Sequence, residues 1–324
     1  MLEHQNHVLE LIARGAPLDE TLTVYLRAIE AQAPEMLSSI LLLDSDGLHL
    51  RCCAAPTLPE EYVRAIDGKP IGPAAGSCGT AAYLAAPVVV QDIEHDPLWV
   101  VYKDIALRHG LRACWSTPIF DGRQHVLGTF AMYFREPRFP TAEHRALIDV
   151  TTYTAAIAIV QHREREELKA WEAQFAEAQR IAQVGSYEWD LSTFKTKRSA
   201  ELYRIFGVEP DDFAPTFDAY LARVHPDDRE RTRAIVEQSL HDLTPFDFEE
   251  RIVRADGAVR LLRSQGRWVI DPSGRPPKLV GICQDITEKK ILKEQLQSIA
   301  ERAHEPEIQS SLRNLERAIA DLLR

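Results

Sequence analysis

Residues 246–286 read FDFEERIVRADGAVRLLRSQGRWVIDPSGRPPKLVGICQDI, and this stretch decides the fold of the second half of the chain. Two turn signals, ADG at 255–257 and DPSG at 271–274, divide it into three runs rich in β-branched and aromatic residues. Runs of this kind, bounded by glycine, proline and aspartate, are typical of antiparallel strands. The sequence therefore predicts strands over 246–254, 259–270 and 279–286.

The residues before these three strands predict two further strands, which pair as a hairpin, and three helices. Residues 187–191 alternate as a strand does, and 195–198 can form its hairpin partner. Ser199 is a suitable N-cap for a helix that ends at Gly207, and 216–224 is helical in pattern. His225 precedes a proline and two acidic residues, which is typical of a helix N-terminus. Two strands, helices and three strands together indicate an α+β domain with one antiparallel sheet.

The first half of the chain also predicts an antiparallel sheet covered by helices. Apolar spacing indicates a helix over 17–33, and the DSDG turn at 44–47 separates two strands of a hairpin, 39–43 and 48–53. A loop over 68–79 leads to a short helix that we expect to begin at Thr80. Three strands (88–90, 114–120 and 126–134) and one helical stretch from Asp96 to His109 complete this half.

Residues 141–182 contain neither glycine nor proline, which predicts one helix about 60 Å long. Its second half places apolar residues in the 3-4-3-4 spacing of a coiled-coil seam. These residues are Leu168, Trp171, Phe175, Ala178 and Ala182. We expect a homodimer through residues 168–182, whereas the alternative is a single helix that lies solvated on its own domain.

The C-terminal tail predicts two amphipathic helical pieces. Leu292, Leu296, Ile299 and Ala303 form one apolar stripe, and a second stripe lies within 308–322. Pro306 separates them because proline in a helix interior costs about 3 kcal/mol. The predicted organisation is a first domain (1–162), a linking helix (163–183), a second domain (184–288) and a tail (289–324) that contributes to the dimer.

Composition limits the classes of function. The chain has 324 residues, is 45% hydrophobic and 27% charged, and carries a formal net charge of −11. Such acidity argues against nucleic acid as the main partner. We expect no membrane insertion, because no apolar run approaches the roughly 20 residues of a membrane helix. The N-terminus has no signal-peptide pattern, and five cysteines without a CxxC pair suit a reducing compartment. A cytoplasmic protein without bound zinc is predicted.

Two family resemblances follow from short motifs in a fixed order. Residues 15–162 resemble a GAF domain through GSCGT (76–80), PVVVQDI (87–93), DPLW (96–99), GLRACWSTPI (110–119) and LGTFA (127–131). Residues 184–288 resemble a PAS domain through HPDD (225–228), FEER (248–251), DG (256–257) and DIT (285–287). Both families sense small molecules or light, or dimerise, and pass helix motion to an output domain. These resemblances imply a sensor with two modules.

The GAF resemblance implies a pocket between the sheet and residues 68–109. A small-ligand site needs apolar walls and a few polar groups. Our candidates for the pocket are Asp92, Trp99, Tyr102, Trp115, Thr117 and Phe120, although aromatic residues at these spacings also suit a plain core. For the PAS module, the expected state is an apolar core containing Trp189, Tyr203, Phe206, Phe248 and Trp268. Bilin and flavin cysteine motifs are absent from the sequence, and His225 and His241 suit helix ends better than haem. The sequence identifies no particular cofactor.

The cysteines are candidate redox groups. Free-methionine sulfoxide reductases are GAF enzymes that resemble this chain at CGTA (78–81), but they need a second cysteine in the following loop, where this chain has HDPL (95–98). Without a resolving thiol, disulfide chemistry cannot turn over. Cys52 and Cys53 are neighbours on a strand, so we expect one to be buried and the other exposed.

The closing motif of the PAS resemblance suggests a signal relay. Thr287 can cap the helix that follows the last strand, and Glu288 suits its first turn. Asp285 is expected to pair with Arg251 or Arg254 on a neighbouring strand. This latch would convert distortion of the sheet into motion of the helix.

Three functions remain open on the sequence. The first is a GAF–PAS signal-transduction sensor that acts on a protein partner or output domain and can bind a small molecule. The second is the sensory part of a histidine kinase or cyclase, or an orphan phospho-acceptor at His304. His304 stands two residues before Pro306, and only eighteen residues follow that proline, which is too few for an ATP-binding domain. The third is a GAF-type redox enzyme that acts on a small molecule.

Overall fold

The computed structural model describes residues 2–193, 195–270 and 276–302, together with positions 314 and 317. The chain divides between Lys169 and Ala170 into two compact units. Each unit contains one sheet in which all paired strands are antiparallel. The predicted α+β class with two antiparallel sheets and a long helix between them is confirmed.

The first unit contains a six-stranded sheet with helices on both faces. Its helices are α1 (Leu2–Arg14), α2 (Leu18–Glu30), α3 (Glu60–Ile66), α4 (Gly76–Leu84), α5 (Lys103–Arg108) and the first part of α6 (Ala142–Ala182). Its strands are β1 (Met36–Leu43), β2 (His49–Ala54), β3 (Lys69–Pro70), β4 (Val88–Val90), β5 (Ala113–Phe120) and β6 (Val126–Phe134). The strand order is β3-β2-β1-β6-β5-β4.

The two faces of this sheet bury separate cores because successive side chains of a strand point in opposite directions. One core contains Trp115 and Phe130 together with residues of α1, α2 and α6. The other contains Cys114 and Tyr133 together with residues of α3, α4 and α5. Neighbouring residues of β5 therefore serve opposite cores.

The second unit contains a five-stranded sheet with the order β8-β7-β11-β10-β9. Its strands are β7 (Val184–Asp190), β8 (Lys195–Arg198), β9 (Phe246–Val253), β10 (Val259–Val269) and β11 (Lys278–Asp285). Besides the second part of α6, its helices are α7 (Ala200–Phe206), α8 (Phe217–Arg223), α9 (Pro226–Asp242) and α10 (Thr287–Arg302). The last strand, β11, lies at the centre of the sheet between β7 and β10.

The predicted helix starts of the second unit are confirmed by their hydrogen bonds. The Ser199 hydroxyl accepts from the Leu202 backbone N–H at 3.3 Å, and the Thr216 hydroxyl accepts from that of Ala219 at 3.2 Å. His225 accepts from the Asp227 N–H at 3.4 Å, with proline at the first helical position of α9. These side chains satisfy N–H groups that have no partner within the helix.

Two boundaries in the first unit were predicted wrongly. Helix α4 begins at Gly76, not at Thr80, because Gly76 has a φ of +65° and turns the chain directly into the helix. The stretch predicted as one helix from Asp96 to His109 is a 3-10 turn over Pro97–Trp99 followed by α5. The Asp96 carboxylate caps this turn by accepting from the Leu98 N–H at 2.9 Å.

The apolar stripe of α6 is not covered by the residues that the structure describes. Leu168, Trp171 and Phe175 have exposed fractions of 59%, 69% and 62%. Ala178 and Ala182 are also exposed. In the tail, Leu292, Leu296 and Ile299 lie on α10, whereas Ala303, His304, Pro306 and the second predicted stripe lie outside the described residues.

Because β6 and β1 pair closely, we predict that a side chain at Gly128 lowers the stability of the fold. An added Cβ at Gly128 would collide with the backbone carbonyl oxygen of Leu41, whereas Gly122 in the adjacent turn has open space and an ordinary φ. We expect Gly128→Ala to lower the free energy of unfolding by about 1–3 kcal/mol. Gly122→Ala is the matched control and should change it by less than about 0.5 kcal/mol.

Urea unfolding followed by circular dichroism measures both variants. Equal stability of Gly128→Ala and Gly122→Ala would contradict the close approach of the two strands.

Candidate functional site

The second unit encloses a cavity of about 60 Å³ between its sheet and its helices. Eight of its fifteen lining residues are aromatic: Tyr187, Trp189, Phe206, Phe213, Phe217, Tyr220, Phe246 and Phe248. Trp189 and Phe217 stack with ring centroids 5.7 Å apart and an interplanar angle of 12°. Of the predicted core residues, Trp189, Phe206 and Phe248 line the cavity. Tyr203 contacts Phe213, and Trp268 donates to the Ser239 hydroxyl.

Arg198 is the one charged residue among the described residues that line this cavity. Its guanidinium lies 3.8 Å from the centroid of the Phe213 ring and donates to the backbone carbonyl oxygens of Phe213 and Ala214, at 3.0 and 2.8 Å. Within the described parts of the chain it has no carboxylate partner. Burial lowers the pKa of Arg198. The cavity therefore holds a cation that protein carbonyl dipoles stabilise without neutralising its charge.

A buried carboxyl group, that of Glu250, contacts a residue of the cavity wall. Its side chain is 1% exposed and accepts hydrogen bonds from the Tyr220 and Ser264 hydroxyls at 2.6 Å, and from that of Thr232 at 3.3 Å. Burial raises the pKa of Glu250, and the three hydroxyls oppose that rise. Tyr220 also lines the cavity, so one hydroxyl links the cavity wall to this carboxyl.

Strand β11 connects the cavity to the following helix. Leu279 and Cys283 line the cavity, and Asp285 ends the strand two residues later. The Asp285 carboxylate accepts from the Thr287 backbone N–H at 2.9 Å and from the Thr287 hydroxyl at 2.5 Å. The capping group of α10 is therefore Asp285, and the expected capping by Thr287 was wrong. The Thr287 hydroxyl instead accepts from the Leu261 N–H of β10 at 2.9 Å.

The expected ion pair of Asp285 with Arg251 or Arg254 was also wrong. Asp285 lies 3.8 Å from Arg260, which is on the adjacent strand β10. Arg251 belongs to β9 and binds Asp228 at 2.8 Å, and Arg254 lies 3.6 Å from Asp256 in the turn. The Arg251 guanidinium lowers the pKa of Asp228 to about 2. Arg251 therefore joins β9 to the start of α9, and Arg254 lies in the turn that follows β9.

The end of α6 reaches the same residue. Gln183 follows α6 with a φ of +54°, which ends the helix, and its carbonyl oxygen accepts from the Asp285 N–H at 3.0 Å. Asp285 therefore contacts the end of the incoming helix with its backbone and the start of the outgoing helix with its side chain.

The first unit has a smaller cavity, about 40 Å³, beside α4. Two of the six predicted pocket residues, Trp99 and Tyr102, line it. Trp99 donates to the Ser77 hydroxyl at 3.1 Å, and that hydroxyl donates to the Cys114 carbonyl oxygen at 3.0 Å. Cys78, Tyr62 and Tyr133 are further lining residues.

The other four candidates lie elsewhere. Trp115 packs in the core on the opposite face of the sheet, 4.4 Å from Phe134 between ring centroids, because it follows Cys114 by one residue. Thr117 and Phe120 are half-buried on β5 and do not line the cavity. Asp92 holds a surface turn, with its carboxylate 2.7 Å from the His95 ring. The expectation that these four form the pocket was wrong.

Asp92, Glu94 and His95 place three metal-ligand atoms within 4.8 Å of one another on the surface. Their charges are already matched, because His95 lowers the pKa of Asp92 and Arg112 binds Glu94 at 2.6 Å. This turn needs no cation to hold it together.

Two residues of the second-unit site, Glu250 and Arg198, were not predicted from the sequence. Glu250 had a detectable signal, since Phe246, Phe248, Glu250 and Ile252 share one face of β9 by alternation. Arg198 offered no such signal, because its role depends on a loop at 213–216. The expectation that one of Cys52 and Cys53 is exposed was wrong: both are half-buried, on opposite faces, and burial raises their pKa values to about 12 and about 11.

Comparison with known proteins identifies both units. Residues 15–160 match the family described as GAF domain, and residues 195–283 match the family described as PAS fold. Residues 15–160 therefore form a GAF domain, and residues 195–283 form a PAS domain that follows it. In the described residues, no helix combines the length and apolar character needed to cross a membrane.

Three curated relatives share parts of the sequence. A methyl sulfide methyltransferase-associated sensor of Methanosarcina acetivorans is 39% identical over 53% of this chain. The sensor protein FixL of Bradyrhizobium diazoefficiens is 30% identical over 33%, and a blue-light-activated histidine kinase of Brucella anthropi is 32% identical over 34%. The matched regions span 17%, 21% and 22% of those relatives. This chain therefore matches only a part of each of these longer relatives.

The raised pKa of Glu250 leads to a prediction of how the free energy of unfolding depends on pH. Because burial raises its pKa in the folded state, the folded chain holds this proton more tightly than the unfolded chain. As pH rises above about 4.3, the unfolded state releases the proton first, and the free energy of unfolding falls until the raised pKa is passed. We expect Glu250→Gln to remove this fall, so that the variant gains stability relative to the native chain as pH rises.

Urea unfolding across a pH series from acid to neutral measures the effect. Glu249→Gln removes the neighbouring, exposed carboxyl and is the matched control. Parallel pH profiles for the native chain and Glu250→Gln would contradict the proposed titration.

Proposed function

We propose that this chain is a signal-transduction sensor whose PAS cavity binds a small, largely apolar acid and whose α10 helix carries the response to an output domain. The observation that carries the proposal is the shared strand β11. Leu279 and Cys283 form part of the cavity wall, and Asp285 of the same strand caps α10. A ligand that displaces the wall therefore acts on the helix through two residues of backbone.

The cavity sets the class of ligand. At about 60 Å³ it is well below the roughly 150 Å³ that accommodates benzene, so in this conformation it admits a molecule of a few heavy atoms. Aromatic walls favour an apolar body, and the Arg198 guanidinium favours a carboxylate at one end. A short-chain monocarboxylate meets both conditions.

The relatives support a sensory role and suggest the output. Their names describe sensors and histidine kinases, and a further relative in Escherichia coli is a probable diguanylate cyclase with 35% identity over 37% of this chain. We propose a cytoplasmic chain that serves a kinase or cyclase output, either on a separate partner or in a longer protein. Phosphorylation at His304 remains the alternative, and that residue lies outside the described part of the chain.

A binding experiment tests the cavity and the relay together. Amide hydrogen exchange of the full chain should slow or accelerate at Thr287 and the first turn of α10 when butyrate is added, and butyramide should have a weaker effect because it lacks the charge. In Asp285→Ala the first-turn amides should exchange faster, and the butyrate-dependent change should disappear, because the cap that joins β11 to α10 is lost.

Glu288→Ala is the matched control, since it removes an exposed acidic side chain of the same turn. It should retain the butyrate response. If butyrate leaves exchange and thermal stability of the native chain unchanged, the proposed ligand class is wrong. A retained response in Asp285→Ala would overturn the relay.

A second element of the proposal is a parallel homodimer formed by α6. The exposed stripe of Leu168, Trp171 and Phe175 repeats with the coiled-coil spacing, so a second copy of the same helix can bury it in register. Burial of this stripe, which contains two aromatic residues, against a partner helix would stabilise a dimer.

We expect the Trp171→Glu, Phe175→Glu double variant to be monomeric where the native chain is dimeric. Sedimentation equilibrium over a concentration series measures this. Ala173→Glu with Ala176→Glu adds the same charge on exposed positions outside the stripe and should stay dimeric. A native chain that is monomeric at high concentration would remove this part of the proposal.

A further inference from the structure

The GAF domain brings two cysteines from distant parts of the chain to one place. Cys78 lies on α4, is half-buried and lines the first-unit cavity. Cys114 lies on β5, where it is fully buried and pairs with Tyr133 of β6. The hydrogen bond from the Ser77 hydroxyl to the Cys114 carbonyl oxygen, 3.0 Å long, fixes α4 against β5 at this point.

One hydroxyl contacts the Cys78 sulfur, and two further hydroxyls lie close enough to influence its pKa. The Tyr133 hydroxyl lies 3.8 Å from it. The hydroxyls of Ser116 and Thr129 are buried and, within the described residues, have no hydrogen-bond partner. Buried hydroxyls without partners are costly, so a hydrogen-bond acceptor at the Cys78 sulfur would stabilise both groups.

A thiolate at Cys78 is such an acceptor. The Cys114 thiol, followed by the hydroxyls of Ser116, Tyr133 and Thr129, lowers the pKa of Cys78 against the effect of burial. Burial together with the interaction with Cys78 raises the pKa of Cys114. Cys78 is thus the thiol that more readily becomes the reactive anion, and Cys114 is the thiol that stays protonated.

We propose that Cys78 and Cys114 form a peroxide-reactive dithiol site, in which Cys78 is oxidised first and Cys114 closes an intramolecular disulfide. This site goes beyond the ligand-sensing function proposed for the PAS cavity. It also supplies the second thiol that the loop at 95–98 lacks, from strand β5 instead.

The chemistry balances with a hydroperoxide as the oxidant. The Cys78 thiolate attacks one oxygen of the O–O bond, which breaks, and the departing alkoxide or hydroxide takes a proton; Cys78 becomes a sulfenic acid. The Cys114 sulfur then displaces hydroxide from the Cys78 sulfur, and its proton leaves with that hydroxide as water. Two thiols are oxidised to one disulfide, and the peroxide is reduced to an alcohol or water with release of one further water.

The surroundings select this pair among the five cysteines. The cavity of about 40 Å³ beside Cys78 has room for a molecule the size of hydrogen peroxide. In contrast, burial raises the pKa values of Cys52 and Cys283 to about 12 and that of Cys53 to about 11, so none of these three forms much thiolate near neutral pH. A Cys78–Cys114 disulfide would tie α4 covalently to the sheet at the wall of this cavity.

Treatment of the full chain with hydrogen peroxide, followed by thiol blocking and peptide mass spectrometry, tests the proposal. We expect one disulfide-linked pair that contains Cys78 and Cys114. Cys114→Ser should instead accumulate a Cys78 sulfenic acid that dimedone traps, and Cys78→Ser should yield neither product. Cys283→Ser is the matched control and should give the native disulfide.

Thr129→Val provides an independent measurement that retains both thiols. Loss of the donor hydroxyl should move the pH dependence of Cys78 oxidation to higher pH, while circular dichroism verifies that the variant is folded. The proposal is overturned if Cys78 of the folded native chain reacts with peroxide no faster than Cys283, or if its oxidation never yields a bond to Cys114. Neither result bears on ligand binding in the PAS domain.

Discussion

The attachment of Asp285 to its neighbours is the constraint on which the second unit depends. Its backbone N–H binds the carbonyl oxygen of Gln183, its carboxylate receives the N–H of Thr287, and Arg260 lies 3.8 Å away. Removing a helix cap costs about 0.5–2 kcal/mol, which is a large part of the stability of a typical domain. Because β11 is the central strand, any shift of the sheet that moves this aspartate also moves the start of α10.

The GAF domain achieves a similar coupling with neutral groups. Trp99 donates to Ser77, and Ser77 donates to the carbonyl oxygen of Cys114, so the cavity wall, α4 and β5 are joined by one chain of hydrogen bonds. The position of the Cys78 sulfur follows from this chain, since Cys78 is the next residue of α4. The two domains therefore connect their elements with different chemical groups. The PAS domain uses a carboxylate that caps a helix, and the GAF domain uses a network of hydroxyl and thiol groups.

Local signals in the sequence were sufficient for most of the fold. Side chains that cap helices, such as Ser199 and Thr216, act within three residues, and strand alternation and turns act over similarly short distances. The sites depend on contacts across the sheet, where an error of one residue moves a side chain to the other core. Trp115 was misplaced for this reason, since its neighbour Cys114 faces the cavity side.

Pairing across strands also explains the misassigned partner of Asp285. Strand order places β10 next to β11 and leaves β9 one strand further away, so Arg260 is near and Arg251 is not. Order of strands in a sheet is a property of the whole domain and is not encoded in any single motif. The neighbourhood of Cys78 and Cys114, which lie 36 positions apart in the sequence, has the same origin.

The meeting of Gln183 and Thr287 at Asp285 has an evolutionary consequence. A domain whose two chain ends lie together can be inserted into a host chain, or deleted from it, while the flanking segments stay side by side. The PAS domain thus has the form of a cassette between two helices. Recombination that preserves only the end of α6 and the start of α10 would exchange the domain between them and keep both flanking helices in place.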